Sequence, residues 1–425
     1  MVALSVDMLF LMLGGIVFIG YLGELIAKRF SIPSILLLLL VGYGLKAAGY
    51  VEPSSIIGMQ EFFSILALVI LLFDGGLSLD LDLVMFKSGR VLLMSTIIMA
   101  LSIISCAVLL NYLLGISLIA GGILGAIIGG TGATVTISML RGLKVPSEVS
   151  QFLTLESSIT DVFSIIIVIV LTQALISGSI DVQSILQGVA SKFSIGIFLG
   201  LIIGILSFIL LDHIEKGYNY MITFALVLLL YTFVEFLSGS GAISVLAFGL
   251  VFGNEQLIRR AFRIENSGNR FTFTEFQSEV SFLVRTFFFV FLGAIVSVSL
   301  SFEFYLSIGL VALLLIIRYA SALVSTMGSQ LADYKSIITA IGPRGLATAV
   351  LATYPMMKIG QAIPQGGTDH LTSIASEVAS FPEISLYIIV MSIVASTFLV
   401  PFAAKGARQE PEKQGTKGKE QQSNS

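Results

Sequence analysis

Two carboxylates stand five residues apart in Leu155-Glu156-Ser157-Ser158-Ile159-Thr160-Asp161-Val162-Phe163, within a stretch long and apolar enough to cross a membrane. A bare carboxylate at the middle of a spanning helix is unfavourable by roughly 2.5 to 3.5 kcal/mol on insertion scales, so each acid needs a partner, water or an ion. Either a proton or a dehydrated alkali cation relieves that penalty. Where the two exclude one another, a single acid can carry one in each direction and exchange cation for proton without an ATPase. At 100° per residue the two side chains lie about 140° apart around a helix, so they cannot share a face. An arginine forking onto Glu156 would make it structural. Arg318 and Arg344 both fall in late apolar spans, and Arg318 is preferred. Asp161 is then the acid that holds the cation or the proton. Oxygen ligands suit Na⁺, and beside Asp161 they are available from Thr160, Ser157 or Ser158, Thr131 and the carbonyls around Gly130 and Gly132.

The remaining polar residues within spans carry less. Asp74, in Phe73-Asp74-Gly75-Gly76, sits near a cytoplasmic span end, where it is either solvated or lines an inner vestibule. Glu24 and Glu235 read as span-end or packing acids, and Arg285 as a residue that snorkels or holds the connection between two halves. One cysteine and two histidines are too few for a cysteine-based or zinc site, and one cysteine excludes an internal disulfide. Neither a Ser-His-Asp set nor a Gly-rich phosphate loop stands out, so the chain reads as a non-enzyme without a resident cofactor. Its basic residues gather in no block before the tail, which excludes nucleic acid as a natural partner.

The elements that must position these side chains are membrane helices. The chain is 56% hydrophobic and 12% charged, with mean hydropathy +1.00, and apolar runs recur along nearly all of its 425 residues. Length and punctuation predict an all-α polytopic membrane protein with about 13 spans. The first run lacks a basic leader and a cleavage site and reads as a retained span. Lys28, Arg29, Lys87, Arg90, Arg141, Lys144, Lys216, Arg259, Arg260, Arg263, Arg270, Lys335 and the tail place alternate loops in the cytoplasm. The opposite loops hold Glu52, Asp181, Glu303, Asp369, Glu377 and Glu383, with Lys358 as their one clear base. The N-terminus is therefore expected outside and the C-terminus inside, in a plasma membrane. Residues 1–404 form the transporter domain, and residues 405–425 are too polar to bury a core and predict a disordered cytoplasmic tail.

Two spans share a defect. The fifth breaks at Gly129-Gly130-Thr131-Gly132-Ala133-Thr134 and the twelfth at Gly342-Pro343-Arg344-Gly345. An odd offset of seven spans gives the two opposite orientations, as in transporters built from inverted repeats, so half-helix ends would meet at mid-membrane. Close helix packing by glycine explains Gly129 and Gly130 equally well. Pro343 beside a buried Arg344 points to function.

With these residues in place, the chain resembles the monovalent cation:proton antiporters over about its first 405 residues, in the sodium/proton exchanger branch that includes prokaryotic 13-span exchangers. Glu156-Ser157-Ser158-Ile159-Thr160-Asp161 resembles the family's Glu-Ser-x-x-Asn-Asp segment, whose final Asp binds the cation or the proton. Gly130-Thr131-Gly132-Ala133-Thr134-Val135 resembles its unwound Thr-Asp-Pro crossing, and Gly342-Pro343-Arg344-Gly345 its Gly-x-Arg-Gly. Ile317-Arg318 resembles the arginine that pairs with the motif Glu, and Phe73-Asp74-Gly75-Gly76-Leu77 a Phe-Glu-Gly-Gly-Leu. A single titrating acid, with no second acid at position 160, predicts one-for-one electroneutral exchange of Na⁺ for H⁺, with K⁺/H⁺ exchange as an alternative. The resemblance implies a moving core around residues 116–173 and 304–403, with the remainder a scaffold for a homodimer. Thr160 stands where the branch usually has Asn, and Gly132 where the crossing carries Asp. A hydroxyl can still coordinate, but glycine cannot replace a charge, so Glu156, Asp74 or a backbone carbonyl must serve instead. A cation channel with Asp161 as an attracting site, and a sodium-coupled solute carrier, are the alternatives. Strict proton coupling separates the first, and the lack of a further polar cluster disfavours the second.

Overall fold

A computed structural model describes residues 6–30, 34–49, 53–79, 81, 89–140, 143, 145–178, 182–211, 219–262, 274–295 and 300–362, together with 369–423. Lys87, Arg141, Lys144, Lys216, Arg263 and Arg270, which bear on orientation, and Glu52 and Asp181 opposite them, lie outside the described residues. The described elements are helical, in the order α1 (Val6–Phe30), α2 (Ser34–Ala47), α3 (Pro53–Ser78), α4 (Gly89–Leu114), α5 (Leu118–Gly129) and α6 (Ala133–Leu140). They continue with α7 (Ser147–Ser177), α8 (Val182–Leu211), α9 (Asn219–Phe236), α10 (Gly241–Gly253), α11 (Glu255–Phe262) and α12 (Thr274–Ile295). The chain closes with α13 (Phe302–Thr326), a 3-10 turn at Gln330–Tyr334, α14 (Lys335–Ala340), α15 (Leu346–Ala362), α16 (Asp369–Val378) and α17 (Phe381–Ser423). Among the described residues, six spans are long and apolar enough to cross a membrane, and α10 with the sharply bent α11 makes a seventh. Large apolar side chains such as Phe10, Phe18, Phe198, Leu206, Phe236 and Phe398 face outward, as a lipid-facing surface requires.

Helices pack in two groups. In one, α5 lies against α4 and α7, while α13, α14 and α15 surround the first half of α17. In the other, α10 lies between α3 and α8, and α12 between α2 and α3. The groups meet where α3 touches α15 and α7, and where α7 touches α8. α4 packs against α5, α7 and α13. The cause is a glycine ridge on α5. A Cβ at Gly121 would sit 2.8 Å from the Ala107 Cα, and one at Gly125 2.5 Å from the Ser102 carbonyl oxygen, so the two backbones touch. α17 is helical to Ser423, through the residues for which composition predicts a disordered tail.

Both predicted breaks are present. The chain is extended at Gly130, between α5 and α6, and leaves helical geometry from Ile341 to Gly345, between α14 and α15. Pro343 has no amide to donate and disfavours helical backbone at Gly342, which ends α14 at Ala340. One end of the molecule gathers Ser117, Gly178, His370 and Glu377. Both the amide and the hydroxyl of Ser117 donate to Glu377, and His370 packs on Gly178. Lys358, near the end of α15, lies at this end too. The start of α7 at Ser147 and the start of α14 at Lys335 lie at the other.

Candidate ion-binding site

The two unwound segments cross in direct contact. The amide of Gly132 donates to the Pro343 carbonyl at 2.8 Å, and a Cβ on Gly132 would lie 2.7 Å from the Gly345 Cα. Glycine at 132 therefore has a steric cause: no side chain, and so no carboxylate, fits where these backbones meet. Sequence reasoning saw only the missing charge, because the contact partner lies more than 200 residues away.

Each negative half-helix end at the crossing is met by a buried guanidinium. Arg344 Nε donates to the Ile128 carbonyl at the end of α5 (2.8 Å), and Nη1 to the Gly342 carbonyl. Arg318 Nε donates to the Ile338 carbonyl at the end of α14 (3.0 Å). Terminal carbonyls that lack intrahelical partners, and the dipole they express, are satisfied by cations placed there. Arg318 then forks onto Glu156, with Nη1 to Oε1 at 3.2 Å and Nη2 to Oε2 at 3.1 Å. Both side chains are almost fully buried, at 1% and 0% exposure. Arg344 stands apart from this pair: its donors face the α5 end and its own loop instead. Ser392 and Ser396 of α17 complete the second break by accepting the amides of Arg344 (3.0 Å) and Gly342 (3.4 Å). The sequence reading missed these serines, although their spacing of four in an apolar helix puts both on one face.

Thr131 and Thr160 join the first break to α7. The Thr131 hydroxyl donates to Glu156 at 3.1 Å to Oε1, and its amide donates to Thr160 Oγ1 at 3.3 Å. Thr160 in turn donates to the Ser157 carbonyl at 3.1 Å. Thr160 is thus a staple between the unwound segment and α7. We expect Thr160→Val to destabilise the protein by about 1 to 3 kcal/mol, the cost of a buried donor left unmade, and Thr160→Ser to restore most of it. Cys106, the one cysteine, is fully buried, so its labelling by a thiol dye on heating reads the loss directly. An unchanged midpoint in Thr160→Val would show that the staple holds nothing.

Asp161 lies on a different face of α7 from Glu156 and is partly accessible rather than sealed. The Ala133 amide, at the positive end of α6, faces its carboxylate. Gln151, Thr154, Ser158 and Asp161 form one accessible stripe along α7, continued on α6 by exposed Thr134 and half-buried Ser138. Beyond Asp161 the same face closes, with Ile165, Val168 and Thr172 fully buried. Asp161 therefore stands at the blind end of a polar path that opens toward Ser147. Ser157 is buried, and its hydroxyl turns back to the Leu153 carbonyl at 2.6 Å. Ser158 faces the path and donates to the Thr154 carbonyl at 3.1 Å. Asp74 of α3 accepts from Ser281 of α12 at 2.7 Å, within the other helix group, where Arg285 and Glu24 also approach at 3.9 Å.

The sequence profile described as "Sodium/hydrogen exchanger, transmembrane" matches residues 14–405. A K(+)/H(+) antiporter NhaP2 of Shewanella sp. (strain ANA-3) is 26% identical over 347 residues, 78% of this chain and 58% of that protein. The chain thus spans little more than half the length of that relative. A probable Na(+)/H(+) antiporter 2 of Methanocaldococcus jannaschii is 26% identical over 360 residues, 79% of this chain and 84% of that one. The solved structure of the sodium proton antiporter MjNhaP1 from the same organism superposes with a TM-score of 0.75 at 21% identity, covering 93% of this chain and 97% of that one. That likeness establishes a shared fold. With the profile extending over almost the whole helical bundle, both broken helices included, the chain belongs to the sodium/hydrogen exchanger family.

Proposed function

We propose that this protein is a secondary antiporter that exchanges a monovalent cation, Na⁺ in the first instance, for H⁺ across the plasma membrane. Asp161 carries either ion in turn. The observation that supports this most is the division of labour between the two acids. Glu156 is saturated by Arg318 and Thr131, whereas Asp161 sits at the end of the polar path with one backbone amide and no cationic side chain among its described partners. One free acid at mid-membrane, always occupied by cation or proton while it crosses, gives one-for-one electroneutral exchange. Ligands for Na⁺ come from Asp161, hydroxyl lone pairs of Ser157 or Ser158, Thr131 and the carbonyls around Gly130 and Gly132, with Thr160 holding the segment in register. Bundles of about 13 spans in a homodimer, N-terminus outside and C-terminus inside, would let the group around α5, α6, α7 and α15 move against the other helices. A K⁺/H⁺ exchange is the second reading, favoured by the K(+)/H(+) relatives.

Reconstituted liposomes with an imposed pH gradient and a clamped potential test the proposal. Na⁺ or K⁺ is added in turn while internal pH is followed. We expect cation-dependent proton movement in the parent, lost by at least about 100-fold in Asp161→Asn, which keeps the shape but neither binds nor releases a proton. The ion that supports movement at the lower concentration is the substrate. Cation flux without proton movement would replace antiport by a channel.

A further inference from the structure

At the end of the molecule opposite the open path, Lys358 of α15 donates from Nζ to Glu235 Oε2 of α9 at 2.9 Å. The other carboxylate oxygen accepts the Gly241 amide at 3.1 Å, in the first turn of α10. Glu235 is thereby fixed to the α9–α10 corner, where a carboxylate also suits the positive end of α10. The two partners belong to different helix groups. α9 and α10 pack with α8 and α3, whereas α15 follows directly on Gly345, which lies against Gly132, and packs on α7, the helix that carries Asp161. Lys358 lies 13 residues beyond that contact, about 20 Å along the helix axis. Any displacement of the crossing relative to α9 and α10 is therefore carried to this ion pair. Among the described residues, Tyr231, one turn before Glu235, buried Tyr354, one turn before Lys358, and Lys192 of α8, whose carbonyl accepts the Ser240 amide, are further titratable groups near the junction.

We propose that the Glu235–Lys358 pair is the fastening that keeps this end shut while Asp161 is open toward Ser147, and that it parts each time the site opens here. The inference rests on the antiporter reading for its consequence, but its geometry stands independently. Lys358 and Glu235 retain 19% and 33% exposure, so water competes for both charges. A wet pair of this kind is weak and reversible, unlike the dry Glu156–Arg318 pair, which no transport cycle could break at comparable cost. It can bias two states without locking either. Glu235 and Lys358 then act as positioning residues for transport, away from the ion itself.

The test uses full-length protein in which Cys106 is replaced by serine and Thr154→Cys reports the open path. We expect Lys358→Met or Glu235→Gln to lower the rate at which an impermeant maleimide labels position 154 by about threefold, as the closed-path state gains population. The charge swap Glu235→Lys with Lys358→Glu restores the labelling. In a second variant with cysteines at 235 and 358, a cleavable bifunctional thiol reagent should reduce exchange by about tenfold or more, and reduction should restore it. Unchanged labelling in the single variants, no rescue by the swap, or full exchange in the cross-linked protein would each overturn the fastening. If the parent shows no exchange at all, the antiporter reading fails, while the labelling comparison still decides the fastening by itself.

Discussion

Arg318→Met is expected to be among the most damaging single changes in this protein. It strands the Glu156 carboxylate in a fully buried position and leaves the Ile338 carbonyl at the end of α14 without its donor. Breaking a buried ion pair from one side typically destabilises by about 3 to 5 kcal/mol, because the remaining charge keeps its desolvation penalty and loses its compensation. The fall in the Cys106 labelling midpoint should far exceed that of Thr160→Val. Removing both charges, as Glu156→Gln with Arg318→Met, should recover a large part of the loss, since a neutral amide still accepts from Thr131 and no bare charge remains. Equal destabilisation in the single and double variants would mean that the arginine works through α14 alone. Transport in the double variant then asks a separate question. If Asp161 alone carries the ion, exchange persists at a reduced rate.

A methyl group at Gly132 should nearly abolish exchange. Its Cβ would stand 2.7 Å from the Gly345 Cα and 2.8 Å from the Gly345 nitrogen, and the neighbour is already glycine, so nothing can be trimmed to make room. The crossing must open, and the 2.8 Å bond from the Gly132 amide to Pro343 goes with it. The Ala133 amide that faces Asp161 is the next residue along, so the shift reaches the acid directly. A displacement of about 1 Å at a reacting group can cost about 100-fold, and exchange by Gly132→Ala in liposomes should fall at least that far. Gly132→Asp, which introduces the charge that the family resemblance leads one to expect at this crossing, should fare no better in this chain. Full activity in Gly132→Ala would show that the two unwound segments separate without consequence, and would return attention to the lost charge.

Membrane class, helical architecture, both breaks and the placement of Glu156 and Asp161 on different faces of one helix were legible in the chain itself. Each rests on local physics. An apolar run of spanning length must be helical in lipid, glycine and proline interrupt it, and five residues of helix set two acids on different faces. The sodium/hydrogen exchanger family was likewise readable from short motifs, two of them at the breaks and the others within α3, α7 and α13. What only the tertiary structure decided were matters between residues far apart in sequence. Arg344 caps α5 across 216 residues, and Ser392 and Ser396 hold a break some 50 residues away. Gly132 is glycine because Gly345 lies against it, and α4 joins the group around Asp161 because α5 turns a glycine ridge toward it. A side chain's type and spacing state what it can bond, but which backbone or charge arrives opposite is set by how the helices cross. That choice is made by packing over the whole bundle and leaves no local trace in the chain.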